Sequence, residues 1–439
     1  MSRIRMLWAR VYTSLWFIPS LLTLGAVALA VLTIWIDSRE VFARDSVIFA
    51  VGADGARGVL TTVAGSIITV TGVLFSITVV VLQLASSQFT PRVLRSFTED
   101  RPTQLVLGVF IGTFTYSLLV LRTVRSSADA YDSFVPWLSV TTALLLALVS
   151  MGFLIYYINH IAHTIQAEVI LHRVTEDALE IVDQLYPEEM GEPAGAAAVA
   201  LAELPAGGAA RLHAPHGGYI HAVDESRLLD LAEAHDLVLE LQVQVGDFVI
   251  EGDCMARVWP DRVEDEVRDR LTATIHVGVQ RTRYQDVERG LVELTDVGVR
   301  ALSPGLNDPT TAIVCIDRLT QVLARLADRP FPAAARRGGD GRLRVLARAP
   351  SFEDLVRQAY TPLTHFGAGI PSVALRLVES VTRLLQRCAP DRREVLRAQL
   401  DRTLESARRQ LESPHELARV ERAARVGLEP SGVSDPASR

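Results

Sequence analysis

Long uncharged apolar runs fill the first 160 positions, and the remainder mixes Arg, Glu, Leu and Ala as a soluble domain does. A bilayer core of about 30 Å needs about 20 apolar residues in a helix. The pattern predicts four such helices, at about 14–36, 59–86, 103–121 and 136–158, within a membrane domain of residues 1–158. The first is too long for a cleaved signal, and Pro19, Trp35 and Asp37 do not make a small-residue cleavage site. Beyond the fourth, Ile158, Ile161, Ile165, Leu171, Val174, Ala178, Ile181 and Leu185 follow near-heptad spacing, broken by Glu168, with no Gly or Pro before Pro187. This predicts a helical stalk over 159–186, packed around a symmetry axis or on the chain's own soluble domain. Residues 187–212, rich in Ala, Gly and Pro, read as a linker. Alternation with turns at Gly217-Gly218, Gly246-Asp247 and Gly252-Asp253 predicts a small β-rich module over 213–262. Residues 263–427 read as mainly helical and 428–439 as a disordered tail.

Polar residues concentrate in the second span, where 59–91 reads VLTTVAGSIITVTGVLFSITVVVLQLASSQFTP. Thr62, Ser66, Thr69, Val73, Ser76, Val80, Gln83 and Ser87 recur at alternating steps of four and three. At about 100° per residue they share one stripe about 100° wide. In one reading several copies of this helix surround an axis and line a pore. The hydroxyls and the Gln83 amide then replace part of an ion's hydration shell, and the valines form a constriction able to dewet. In a packing reading, Gly65 with Thr69 and Gly72 with Ser76 let backbones approach, and hydroxyls bond across helices or onto their own carbonyls. Gln83 favours the first, because an amide deep in a lipid-facing helix is costly unless paired or wet. Pro91 ends the helix. Arg92 and Arg95 beyond it either ring a pore mouth or anchor to headgroups. In the third span Gly108 and Gly112 form a G-x-x-x-G read as packing.

Composition narrows the chemistry. The sequence contains no lysine. That excludes a P-loop lysine, a Schiff base to pyridoxal phosphate, and biotinyl or lipoyl attachment. A net charge of -7 speaks against nucleic acid as a partner. Cys254, Cys315 and Cys388 are widely spaced, fit neither a disulfide framework nor a zinc site, and point to a reducing compartment. Arg3, Arg5 and Arg10 precede the first span, and Arg92, Arg95 and Arg101 lie between the second and third. Both segments, both termini and everything after about residue 160 are therefore expected in the cytoplasm. No ionisable residue lies in the centre of a span, which disfavours proton-coupled transport.

In ALSPGLNDPTTAIVCIDRLTQVLARL, residues 301–326, Asp308 sits where an N-cap belongs and Pro309 at the first helical position. Capping accounts for these residues. The ligand-binding alternative has the helix N-terminus and the Asn307 amide hold an anion beside Asp308, whose charge opposes it. On the stalk no carboxylate or cysteine at helical reach of His160, His163 and His172 completes a convincing set, His213, His216 and His221 crowd the first strand of the β module, and no metal site is assigned. There is no G-x-S-x-G, H-E-x-x-H or paired Cys-x-x-Cys, so no catalytic residue and no cofactor is assigned and an enzyme is not expected. The segments A-P-x-x-G-x-I and V-G-D-F-V-x-x-G-D are similar to the barrel-sandwich pattern of biotinyl and lipoyl domains, a similarity of architecture alone in a chain without lysine.

At GSIITVTGVLFSITVVVLQLASSQFTPRVLRSF, followed by VLGVFIGTFTYSLLVLRTVR, the sequence resembles a bacterial family of predicted membrane proteins labelled domain of unknown function 2254. The likeness covers nearly the whole chain, including WFIPS, GGYIHAVD, VGDFVIEGD and ALSPGLNDPTTA. It implies a multi-span protein of the bacterial inner (plasma) membrane with a cytoplasmic C-terminal region, and it carries no activity.

The expected architecture is an α-helical integral membrane protein with four transmembrane helices. A cytoplasmic α+β region follows, with a small barrel-sandwich-like β module and a helical C-terminal part. The expected function is a homo-oligomeric channel or pore for ions or small solutes, lined by the second span and gated by the cytoplasmic domain. The alternative is a non-conducting membrane scaffold or sensor. In that reading the stripe is a dry helix interface and the cytoplasmic domain binds a protein or small ligand. The lipid bilayer is the expected partner in both.

Overall fold

A computed structural model describes residues 16–39, 52–88, 100–125, 134–164, 166–186, 204–205, 207–281, 285–331 and 334–428, without the side chains of 85–88 and 164. The chain divides into two compact units, Met1–Val169 and Ile170–Arg439.

Four helices make up the first unit: α1 (Phe17–Ser38), α2 (Ala53–Gln88), α3 (Arg101–Leu121) and α4 (Trp137–Thr164). All four are long and apolar enough to cross a membrane. Helix α3 lies innermost, with more than half of its apolar stretch buried. Its glycines permit this. A Cβ on Gly108 would stand 2.6 Å from Leu22 Cδ1 and 3.0 Å from Pro19 Cα, and one on Gly112 3.3 Å from Ala26 Cβ, so α1 seats directly on the α3 backbone. Hydroxyl pairs tie the helices together: Thr33 with Tyr116 at 2.8 Å, Thr113 with Ser150 at 3.0 Å and Thr78 with Tyr157 at 2.6 Å. At one end of the bundle the Asp37 carboxylate accepts from the Leu138 and Ser139 amides at 3.0 Å each and from Ser139 Oγ at 2.7 Å, capping α4 from α1. At the other, Asp100 caps its own helix through Thr103 and lies 2.9 Å from His160 Nε2 on α4.

The unbroken helix expected over 159–186 is interrupted, since α4 ends at Thr164 and α5 runs Ala167–Leu185. The near-heptad face of α5 is buried within the second unit at Leu171, Val174 and Ala178. Gly290 lets α8 approach so closely that a Cβ there would sit 2.7 Å from Ala178 Cβ. The Arg329 guanidinium satisfies the last carbonyls of α5, donating to Tyr186 O at 2.7 Å and pairing with Asp183 at 2.8 Å.

Next come β1 (Ala210–His213), β2 (Gly218–Val223), α6 (Glu225–Ala234), β3 (Val238–Leu241), β4 (Phe248–Val249), β5 (Cys254–Trp259), α7 (Asp265–Thr272) and β6 (Ile275–Gly278). The last part holds α8 (Val287–Ala301), α9 (Pro309–Ala327), β7 (Ala335–Arg337), β8 (Leu343–Leu346), α10 (Phe352–Gly367), α11 (Pro371–Leu385), α12 (Arg393–Gln410) and α13 (Pro414–Leu428). A five-stranded sheet, β1-β5-β3-β8-β7, and a three-stranded one, β4-β2-β6, share a core that includes Leu212, Ile220, Leu239, Val249, Val258 and Ile275. Every pairing is antiparallel except β3 with β8, where Leu239 faces Val345. The β region thus begins at Ala210, inside the stretch expected as linker, and recruits strands well past 262.

Helix α8 packs on α9 and α10, and α11 on α9, α12 and α13. Buried Arg392 closes the C-terminal end of α9, donating to Leu326 O at 2.6 Å and Arg329 O at 2.7 Å. Its guanidinium lies over the rings of Phe331 and Phe352, 4.4 and 4.9 Å from their centroids.

Two helix starts set an acid response. Hydrogen bonds from the Thr311 hydroxyl and amide hold the Asp308 carboxyl below its ordinary range, and the Ser351 hydroxyl does the same for Asp354. A carboxyl depressed on folding stabilises fully above its unfolded value, near pH 4, and loses that contribution as pH falls through the lower folded value. Acid titration followed by circular dichroism is expected to show these helix ends intact down to about pH 4 and fraying below it. In Asp308→Asn, which caps without titrating, the α9 share of that change disappears.

Candidate functional site

Helix α2 presents two opposed faces. Thr71 and Thr78, with Ile67 and Leu74, turn toward the bundle, and Thr78 reaches Tyr157 on α4. The opposite face carries Thr62, Ser66, Thr69, Val73, Ser76, Val80 and Gln83, and every one of them is exposed on the protomer. A Cβ added at Gly58, Gly65 or Gly72 would meet nothing within 4 Å. Among the described residues of one chain nothing packs on the stripe at these glycines. Close inter-helix approach is made instead at Gly108 and Gly112 of α3, at the Thr113–Ser150 pair between α3 and α4, and at Thr78 on the other face of α2. The Ser87 side chain, Arg92 and Arg95 lie outside the described residues, as do Arg3, Arg5 and Arg10.

Thr78 contacts Tyr157, and one turn further along α4 His160 contacts Asp100 at the start of α3. At 1.5 Å per residue Gln83 lies about 8 Å past Thr78, close to that level and so near the end of the bundle. The hydroxyls are less needy than their number suggests, since Thr62 Oγ1 donates to Gly58 O at 2.8 Å and Thr69 Oγ1 to Gly65 O at 2.7 Å.

Asp308 itself fills the α9 N-terminus, accepting from the Thr311 amide at 3.0 Å and hydroxyl at 2.6 Å, so its own carboxylate takes the place of an anion. Asn307 adopts φ 46°, the left-handed turn position before the cap. His213 Nδ1 lies 2.7 Å from Gly252 O, His216 Nδ1 lies 3.3 Å from Gly217 O, and the His221 ring covers Gly278. Among the described residues no three His, Cys, Asp or Glu side chains gather as a metal-binding group. Burial pushes the Cys315 thiol up to about 12, which suppresses its thiolate at neutral pH.

The sequence reading overlooked Asp37 and Asp100, the two carboxylates that fasten the ends of the bundle. Asp100 was legible, because D-R-P-T places an N-cap acid ahead of Pro102 in a first helical turn. Asp37 was not, since its partners lie about a hundred positions later.

A family model described as "Predicted membrane protein (DUF2254)" matches residues 12–383. The chain is 35% identical over 404 residues to "Uncharacterized protein Mb1321c" of Mycobacterium bovis, covering 90% of this chain and 77% of that protein. The same figures hold for "Uncharacterized protein Rv1290c" of Mycobacterium tuberculosis. No solved structure matches the chain significantly.

Proposed function

We propose that this chain, which belongs to the DUF2254 family of predicted membrane proteins, is the protomer of a homo-oligomeric pore for ions or small solutes in the bacterial inner membrane. In this reading α1 to α4 cross the bilayer with both termini cytoplasmic, and the stripe of α2 lines the path. The second unit, with a β module of barrel-sandwich-like architecture, gates or senses. One observation carries the reading. The polar stripe is exposed on the protomer, while Thr78, the α2 hydroxyl that pairs with another helix, lies on the opposite face. A polar stripe left against lipid is unfavourable, and copies of α2 around an axis would both cover it and wet it.

The second reading, a non-conducting scaffold or sensor with the stripe as a dry interface, draws support from Thr62 and Thr69, whose protons are already bound to their own helix, and from the open glycines. Its second unit would bind a protein or small ligand.

Ion flux into liposomes containing the full-length protein separates the two. Wild type is expected to carry protein-dependent flux, and Ser76→Leu to reduce it at least tenfold, about 1.4 kcal/mol of added barrier. Gln83→Leu, near the end of the span, is expected to reduce it less. Absence of flux across several salts and pH values would make the scaffold reading primary.

A further inference from the structure

Helix α1 turns outward a face whose exposed large side chains are apolar, among them Leu21, Leu24, Val31 and Leu32, and closes it with an exposed tryptophan at each end, Trp16 and Trp35. Helix α4 does the same with Leu144, Leu145, Leu148 and Ile155, between half-buried Trp137 and exposed Tyr156. The residues of each pair are nineteen positions apart, which at 1.5 Å per residue is about 28 Å. That matches the hydrocarbon core of a bilayer, about 30 Å, and tryptophan and tyrosine favour its two boundaries.

The four rings fall on two common levels. Asp37, just past Trp35, caps the first turn of α4 next to Trp137, so these two tryptophans stand at one end of the bundle. At the other end His160 stacks on Tyr156 and lies 2.9 Å from Asp100, ahead of α3. Pro19, one turn after Trp16, sits against Gly108, two turns into the same helix. The ionisable groups that fasten the bundle lie outside both levels. Asp37 and Arg39 follow Trp35, with the Arg39 guanidinium 4.8 Å from the Trp35 ring centroid, and Asp100 with His160 lies beyond Tyr156.

Helix α2 crosses the same slab with different chemistry. Thr78 meets Tyr157 near one boundary, and Thr62, sixteen residues earlier, stands about 24 Å away, inside the other. Its exposed face therefore carries hydroxyls at depths where α1 and α4 expose leucine, valine and isoleucine. Acyl chains cover apolar faces without loss, whereas they offer the α2 hydroxyls no partner.

We infer that acyl chains of the bilayer cover the outward faces of α1 and α4, with the headgroup boundaries at Trp35 and Trp137 on one side and at Trp16 and Tyr156 on the other. The inference rests on the membrane-spanning part of the reading above and is independent of conduction. It adds which faces meet lipid, and at what depth.

Fluorescence quenching by brominated phosphatidylcholine tests it in the full-length protein reconstituted into vesicles, with bromine either near the headgroup end of the acyl chains or near their termini. Three variants keep a single tryptophan, Trp16, Trp35 or Trp259, with the others changed to Phe. A fourth carries Leu24→Trp with every native tryptophan changed to Phe, which places a ring about 12 Å inward of Trp16. Trp16 and Trp35 are expected to lose about twice as much fluorescence to the shallow bromine as to the deep one, and Leu24→Trp to show the reverse. Trp259, in the second unit, is expected to lose none. In the unaltered chain a photoactivated acyl-chain carbene, read by mass spectrometry, is expected to label Leu24 and Leu148 and to spare α12. Stronger deep than shallow quenching of Trp35, or the opposite in Leu24→Trp, would overturn the boundaries while leaving a membrane span. Carbene labelling of Ser66 and Thr69 as dense as that of Leu24 would overturn the choice of faces. No quenching at any position of α1 would overturn the membrane-spanning reading itself.

Discussion

Arg392→Ala is expected to lower the unfolding temperature of the second unit by about 10 °C in the detergent-solubilised full-length protein, corresponding to about 4 kcal/mol. The guanidinium closes the C-terminal end of α9 from a distant part of the chain, with short bonds to Leu326 O and Arg329 O. Truncation leaves both carbonyls without that donor in a site sealed by Phe331 and Phe352, and each charge-assisted bond contributes about 1.5–3 kcal/mol. Loss of the stacking over the two rings adds about 1 kcal/mol. Arg329 depends on the same closure, since it begins the segment after α9 and reaches from there to the end of α5. Arg392→Lys, which retains charge but cannot span both carbonyls, should fall between the two. An unfolding temperature within 2 °C of wild type in Arg392→Ala, read by thermal scanning at about neutral pH, would contradict this account.

The corresponding test of the first unit is Gly108→Leu. A Cβ alone would meet Leu22 Cδ1 at 2.6 Å and the backbone Cα of Pro19 at 3.0 Å, and a leucine pushes three further carbons into the same seam. The obstacle is a helix backbone, so α1 must move away from α3 instead of a side chain rotating aside. A cost of about 3 kcal/mol or more follows, expected as loss of monodispersity on gel filtration and aggregation at lower temperature. Gly65→Leu provides the contrast, because its Cβ would meet nothing on the protomer. It should leave the bundle intact. Equal damage from the two substitutions would mean that the Gly108 seam is not the tight one.

Hydropathy places the four helices because span length is a local property of the chain. It misplaces the start of α2 because ADGARG is weakly apolar, yet helix formation there is supported by Arg57 bonding to Val124. The helical wheel groups Thr62, Ser66 and Thr69, all exposed on the protomer, but a wheel cannot say which face of a helix is inside. That depends on Tyr157, which selects Thr78 from the opposite side. Likewise the near-heptad series through Ile158 to Leu185 runs across two helices, and nothing in the spacing reveals that Gln166 stands outside both. The cap at Asp308 was legible since its partner is three residues away. The caps supplied by Arg329, Arg392 and Asp37 were not, because their carbonyls and amides lie tens of residues off or more.

The parallel pairing of β3 with β8 has a consequence for the order of synthesis. Strand β3 ends at Leu241 and its neighbour ends at Leu346, so one edge of β3 stays open while the intervening residues are made. At about 5–20 residues per second that interval lasts on the order of 5–20 s. During it the emerging chain exposes an unpaired strand with apolar Leu239 and Leu241, a surface prone to pairing with other chains. Chains ending before residue 343 keep that edge permanently. The second unit is thus completed late, from a strand that lies beyond two long helices, and premature termination anywhere between β3 and β8 yields a product predisposed to aggregate.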